Sequence, residues 1–330
     1  MENVIERKPL VMEDIAKKNE DDLFYFVERN DSISERITAP RYSYWASVFR
    51  IFFSKKVNIF ALSVLILILL MCFLFPLIFP YDQFAHITEA IANKSPAEVS
   101  AIKGSSIEWI FGTGIFGNSI FYGVWASART SLSLSFLCAL INMSLGVIIG
   151  AVWGYNKVVD SVLNVVYNII ANVPYILLIS VIVYAIGSGF GSFVFALTIT
   201  GWLGISYFMR TQVLIIRDRE YNLASRCLGT PMLRIVAKNV LPYLTSVIVT
   251  LLASEIPSYI SMEVFLSYLG IGLDGDTPSL GHMIENAQTS WTTVPLAFWV
   301  PVAVSSIITV ILYVVGQNLA DASDPRSHMK

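Results

Sequence analysis

Charged residues are scarce in this sequence. Asp, Glu, Lys and Arg make up 14% of its 330 residues, where a soluble domain carries about a quarter. The deficit is concentrated in long apolar blocks, with the charges between them, and this excludes an ordinary soluble domain. Cationic excess is missing too: a formal net charge of −2 leaves no basic face for nucleic acid. Cysteine and histidine number three each. Cys72, Cys138 and Cys227 have no metal-ligand spacing and read as small buried hydrophobes rather than a disulfide or zinc site. His86, His282 and His328 lie far apart, so no metal site is expected. The chain has no Gly-x-x-x-x-Gly-Lys-[Ser/Thr] phosphate loop, so any nucleotide would have to be held by another chain. Neither His-Glu-x-x-His nor Gly-x-Ser-x-Gly occurs, so a membrane-embedded enzyme finds no support.

What is present is long apolar sequence, with a mean hydropathy of +0.65. A span needs about twenty apolar residues to cross roughly 30 Å of hydrocarbon. Six stretches qualify, at about 57–79, 132–152, 158–186, 190–216, 241–266 and 294–315. The expected fold is therefore an all-α membrane protein of six transmembrane helices lying in the lipid bilayer. Residues 1–56 form a polar arm and an interfacial helix, 57–330 the membrane domain, 80–131 a long outer loop and 217–240 a loop on the opposite side. The arm is either disordered or a short docking helix. Tyr42, Tyr44 and Trp45, with Arg41 and Arg50 around them, suit a helix in the headgroup region. The first apolar run begins near Val57, too deep in the chain for a cleaved signal, and reads as a retained helix.

Orientation follows from Lys and Arg in the connections. Arg50, Lys55, Lys56, Lys157, Arg217, Arg219, Arg226, Arg234, Lys238, Arg326 and Lys330 share one side. The other side has Lys94, Lys103 and Arg129. Both termini and the 217–240 loop are thus expected to be cytoplasmic.

Polar residues inside spans are functional candidates because hydrocarbon makes them costly. Glu255 falls near the middle of span five, beside Pro257, and Glu263 lies two turns on. Both are positioned to face one cavity, and the alternative for Glu255 is a protonated carboxyl hydrogen-bonded between helices. Span three carries Asp160, Asn164, Asn168 and Asn172 at four-residue steps, closed by a bend at Pro174. Such a stripe lines a water-filled path or glues helices together, and gluing is the commoner use of Asn in membranes.

The 217–240 loop carries helix signals. Residues 219–228 favour a helix with small Ala224 and Ser225 mid-face, and Gly229 supplies the position that stops it. Thr230 and Pro231 are expected to start a second helix as N-cap and N1. Leu233, Val236 and Val240 would give that helix an apolar stripe, and Leu241-Pro242 opens the next span. The result is a helix–Gly–helix elbow through which a push would tilt two spans.

These residues resemble the EAA loop of ABC-importer membrane subunits, and more closely the second permease subunit of the oligopeptide/dipeptide importers. Glu220, Tyr221, Ala224, Arg226, Leu228, Gly229, Leu241 and Pro242 match that pattern, with Ser225 for its second alanine. Leu223 stands where many such importers have glutamate. Phe111-Gly112-Thr113 with Gly117 resembles the family's outer-loop motif, although Gly114, Asn118 and Ser119 replace its charged residues. The run from Glu263 to Gly272, then Pro278-Ser279-Leu280-Gly281 and the Asn318 to Arg326 tail, extend the match in order.

The resemblance implies the type I importer permease fold in a bacterial cell membrane, paired with a homologous second permease around one peptide pathway. Two cytoplasmic ATPases would hold ATP and magnesium, leaving this chain with no cofactor and no catalysis, and would act through 217–240. An extracellular or periplasmic binding protein would deliver peptide, with the outer loops as its docking surface. Nickel or another small solute is the alternative cargo within the family. A stand-alone channel or secondary carrier is the alternative outside it; the elbow and the lack of an inverted repeat speak against that.

Overall fold

The computed structural model describes residues 43–86 and 90–324; the expectations for the 1–42 arm, His328 and the end of the Asp324-Pro325-Arg326 tail lie outside them. Within the described residues the chain is helical, with one isolated bridge between Thr113 and Ser119. Five helical stretches are long and apolar enough to cross a membrane, and a bent pair makes a sixth.

Helix α1 (Tyr44–Ser54) packs its inner face on the chain's last helix. Val48, Phe52 and Ala322 form one cluster, and the Tyr44 hydroxyl donates to Ser323 O at 2.7 Å. Its outer face keeps Trp45, Phe49 and Phe53 exposed. Span one is α2 (Lys56–Phe73), extended by a short turn to Ile78. In the outer segment, α3 (Pro96–Lys103) starts with a reciprocal capping box between Ser95 and Glu98.

Helix α4 (Ile120–Tyr155) is the largest departure from expectation. It begins twelve residues before the predicted start at 132, so Arg129, assigned to the outer loop, lies within the helix. The signal was Ser119, whose hydroxyl caps the helix by accepting from Tyr122 N–H at 3.2 Å. One face of α4 carries Gly146, Gly150 and Gly154. A Cβ on Gly146 would lie 2.5 Å from the Ile205 side chain, and one on Gly150 2.5 Å from Ser206 O. Small residues at four-residue steps let two helices touch backbone to backbone, which is how helices associate where no hydrophobic effect drives them together.

Span three is broken. Helix α5 (Lys157–Ala171) and α6 (Tyr175–Ile186) meet at 82°. Asn156 starts α5, its Oδ1 accepting from Val158 and Val159 N–H at 2.9 and 3.3 Å. Pro174 ends it, because proline lacks a donor and restricts the residue before it. The fourth span comprises α7 (Phe190–Thr198) and α8 (Trp202–Ile216). The break between them sits against buried Asn142 of α4, which donates to Leu197 O at 3.3 Å and to the Tyr259 hydroxyl. Here too sequence reasoning left out a residue: Asn142 is an amide fully buried within an apolar span.

The chain then turns through α9 (Glu220–Cys227) and α10 (Met232–Ile235) into a π-helical turn, Val236–Val240. Helix α11 (Thr245–Tyr268) is span five, α12 (Leu280–Ala287) a short helix in the next connection, and α13 (Pro295–Ser323) span six. A core of Leu134, Cys138, Ile179, Phe193, Leu197, Tyr259 and Leu266 joins α4, α6, α7 and α11. Cys72 and Cys138 are buried as expected, whereas Cys227 is exposed at the end of α9.

Candidate functional site

The elbow is built on α9. Gly229 takes φ +76°, the left-handed conformation that only glycine adopts without strain. Thr230 N–H then donates to Ser225 O at 3.1 Å and Gly229 N–H to Arg226 O at 2.9 Å, the paired bonds of a Schellman end. The second helix starts one residue later than expected, with Pro231 as the extended N-cap and no side-chain cap from Thr230. The apolar stripe also differs. Ile235, Val236 and Val240 are buried, but Leu233 is 66% exposed, since two residues of α-helix set it opposite the buried Ile235.

Two asparagines stitch the elbow together, and neither was singled out from sequence. Asn222, fully buried, donates to Ile216 O at 2.9 Å at the end of α8. Asn239 reaches across from the π-turn to Asn222 Oδ1 and Ser225 Oγ, both at 3.3 Å. An Asn inside a helix is unfavourable unless its amide is used, and that was the available signal. Arg226 points inward: Nε donates to the Tyr155 hydroxyl at 2.8 Å, and the guanidinium lies 4.7 Å over that ring. Arg217 donates to Gly154 O at 3.1 Å. The elbow is therefore tied to α4 as well as to α8 and α11.

The outward face is apolar at its centre. Tyr221, Leu223, Leu228 and Leu233 are exposed, Leu228 to 86%, around Glu220, Ala224 and Gly229, which are also exposed. Large apolar side chains left exposed on a polar loop are candidates for contact with a partner. Leu241 is half-buried against the cluster beneath. Pro242 lines an open cleft of about 1030 Å³, bordered by Arg219, Tyr243 and Asp321.

The expected pathway residues separate. Glu263 is completely enclosed. It accepts from the Ser131 hydroxyl at 2.7 Å and the Ser267 hydroxyl at 3.1 Å, while Ser131 Oγ accepts from Leu280 N–H at 3.1 Å. This carboxyl joins α4, α11 and the start of α12. Glu255 is half-buried on α11, two residues before Pro257. Asn168 and Asn172 are exposed, the Asn172 amide donating to Asn168 O, so neither glues helices within this chain. Asp160, at the start of the same stripe, does: it pairs with Arg210 of α8.

In the outer loop, the uncharged Gly114, Asn118 and Ser119 serve the loop itself. Gly114 N–H donates to Asn118 O at 2.9 Å, and Asn118 donates to the Tyr81 hydroxyl at 2.7 Å. Burial pushes Tyr81 up to about 12, so it stays neutral. Among the described residues no group of His, Cys, Asp and Glu is placed to hold a metal.

The fold defines a class, a multi-pass helical membrane protein. Residues 144–328 match the family described as binding-protein-dependent transport system inner membrane component. Residues 43–96 match the N-terminal TM domain of oligopeptide transport permease C. The chain is 46% identical over 305 residues to the oligopeptide transport system permease protein AmiD of Streptococcus pneumoniae, covering 92% of this chain and 97% of that one. It is 30% identical to the dipeptide transport system permease protein DppC of Bacillus subtilis, covering 93% of each chain. The oligopeptide transport system permease protein OppC of the same organism is also 30% identical, over 90% of this chain and 94% of that one. The chain belongs to the family of binding-protein-dependent transport system inner membrane components, as a multi-pass membrane permease.

Proposed function

We propose that this chain is the transmembrane subunit of an ATP-driven peptide importer, forming half of the pathway beside a homologous second permease. Two ATPase subunits holding ATP and magnesium bind the elbow, and a peptide-binding protein docks on the opposite face. The elbow and both termini lie on the cytoplasmic side, and catalysis belongs to the partners. The observation that carries this reading is the elbow: rigid inside, through Asn222, Asn239 and Arg226, and apolar outside. A stand-alone channel has no use for such a surface. The relatives are named for oligopeptides and dipeptides, so nickel or another small solute has less support as cargo.

Force applied at α9 reaches α8 through Asn222 and α4 through Arg226 and Arg217, because short bonds to enclosed groups leave little room for slip. Glu255, Asn168 and Asn172 are the pathway residues in this reading, Glu255 meeting the peptide N-terminus or a partner cation. Replacing Glu255 with Gln should slow uptake without loss of assembly. The central test is ATP-dependent uptake of labelled peptide in vesicles holding the complex, with Ala224→Trp or Gly229→Val. Ala224 is exposed, so Ala224→Trp changes the surface and leaves the packing, whereas Gly229→Val has room for its Cβ but strains the positive φ and so tests the shape of the elbow. Uptake should be lost while the permease pair stays assembled. Uptake needing neither ATP nor an intact elbow would overturn the importer and restore the carrier.

A further inference from the structure

Helix α5 contains no buried residue. Its hold on the rest of the chain is polar and aromatic and is concentrated at one cluster. Asp160 of α5 accepts from the Trp153 indole N–H at 2.9 Å and from Arg210 Nε of α8. The Arg210 guanidinium lies 5.7 Å from the Trp153 ring and 5.6 Å from the Tyr207 ring. One turn of α8 away from Arg210, Tyr207 stacks on Tyr167 of α5 with centroids 4.3 Å apart and planes 5° from parallel. Trp153 is fully buried and 6.0 Å from each tyrosine ring.

The position of this cluster matters more than its strength. Trp153 precedes Gly154 and Tyr155 in α4, the two residues on which the elbow arginines rest. One end of α4 is therefore held on one side by Arg217 and Arg226 and on the other by the Asp160–Arg210 pair. We propose that this pair, seated on Trp153 between α4, α5 and α8, is a latch that makes α5 follow the elbow, so that Asp160 and Arg210 are positioning residues of the transport cycle. Motion is absorbed instead at the break before Pro174, where α5 turns 82° into α6. Helices in lipid gain little from apolar contact with one another, so α5 without the latch has almost nothing to keep it in step. The exposed Asn168 rides on α5 and Asn172 caps its end, which gives the latch something to move.

The inference rests on the importer reading, and its test separates the two. Purified complexes in vesicles are assayed for peptides imported per ATP hydrolysed, with Asp160→Asn, Asp160→Glu, and Asp160→Asn combined with Arg210→Gln. Asp160→Asn leaves Arg210 unpaired and is expected to cost some stability; the double variant removes that stranded charge. If the latch couples, both Asn variants keep ATP hydrolysis within about twofold and lose about tenfold in peptides per ATP, a typical coupling between sites. Asp160→Glu, which keeps the pair, should stay near wild type. Recovery of full coupling in the double variant, or parallel loss of hydrolysis and uptake in all variants, would reduce the pair to a structural tie and overturn the latch. A wild-type complex that imports without ATP would instead overturn the importer.

Discussion

Helices α5 and α8 both pack on α4, and they do so by opposite means. Against α8, α4 presents Gly146, Gly150 and Gly154, and the backbones approach until a single Cβ would collide. Against α5 it presents Trp153, whose indole N–H donates to Asp160 and whose ring meets Tyr167 edge-on; the ion pair and ring stack that complete the contact join α5 to α8, with no buried residue on α5. The glycine seam is strong because it is close, and it tolerates nothing between the helices. The α5 contact is specific and sparse, so it releases with one substitution and leaves the helix intact. A transporter needs both: a frame that keeps its shape and a part that is moved.

The sharpest way to break this contrast is to spoil the seam. Gly150→Leu drives a side chain into Ser206 O and Met209; overpacking of this kind costs about 3 kcal/mol, and the folded permease should vanish from detergent extracts. Next is Glu263, a polar tie that is enclosed as the glycine seam is. Glu263→Ala strands the Ser131 and Ser267 hydroxyls and should cost about 2–3 kcal/mol, read as a lower thermal midpoint. Asn222→Ala removes the stitch to Ile216 O and should cost about 1–2 kcal/mol, with ATPase binding weakened more than the fold. Asn168→Ala on exposed α5 should change stability by under about 0.5 kcal/mol; a larger drop in the midpoint would mean that α5 is packed after all.

The smallest effect belongs to α3, outside the membrane. Hydrogen bonds from the Ser95 N–H and hydroxyl hold the Glu98 carboxyl below its usual range. A lowered folded value means that the cap contributes above the ordinary carboxylate range and is lost as pH falls through the folded one. Amide exchange at Val99, relative to its intrinsic rate, should quicken there and leave α4 untouched.

The sequence showed the apolar spans, the elbow helix and its Gly229 stop because each rests on a local pattern of length, propensity or positive φ. The long α4 was missed over 120–131 because Gly123 and a cluster of aromatics resembled a loop, while its Ser119 cap carried the contrary signal. The Glu263 enclosure was illegible: two turns of α11 give a direction but not which neighbour stands there, and Ser131 comes from a helix 132 residues away. The same holds for Tyr155 under Arg226, since a ring 71 residues distant is brought close only by packing. Local signals place elements, and tertiary contact decides which polar groups become ties.

The break before Pro174 has a consequence for the lipid. Helix α5 is about 22 Å long and α6 about 18 Å at 1.5 Å per residue. With 82° between them, the pair covers roughly 30 Å only when both arms lean about equally, and standing one arm upright shortens the reach to about 25 Å for α5 or about 21 Å for α6. The broken span has no slack to give. A bilayer of longer acyl chains would have to thin around it or pull it straighter, so the choice of lipid tail length should tune this permease in a way that its straight neighbours do not share.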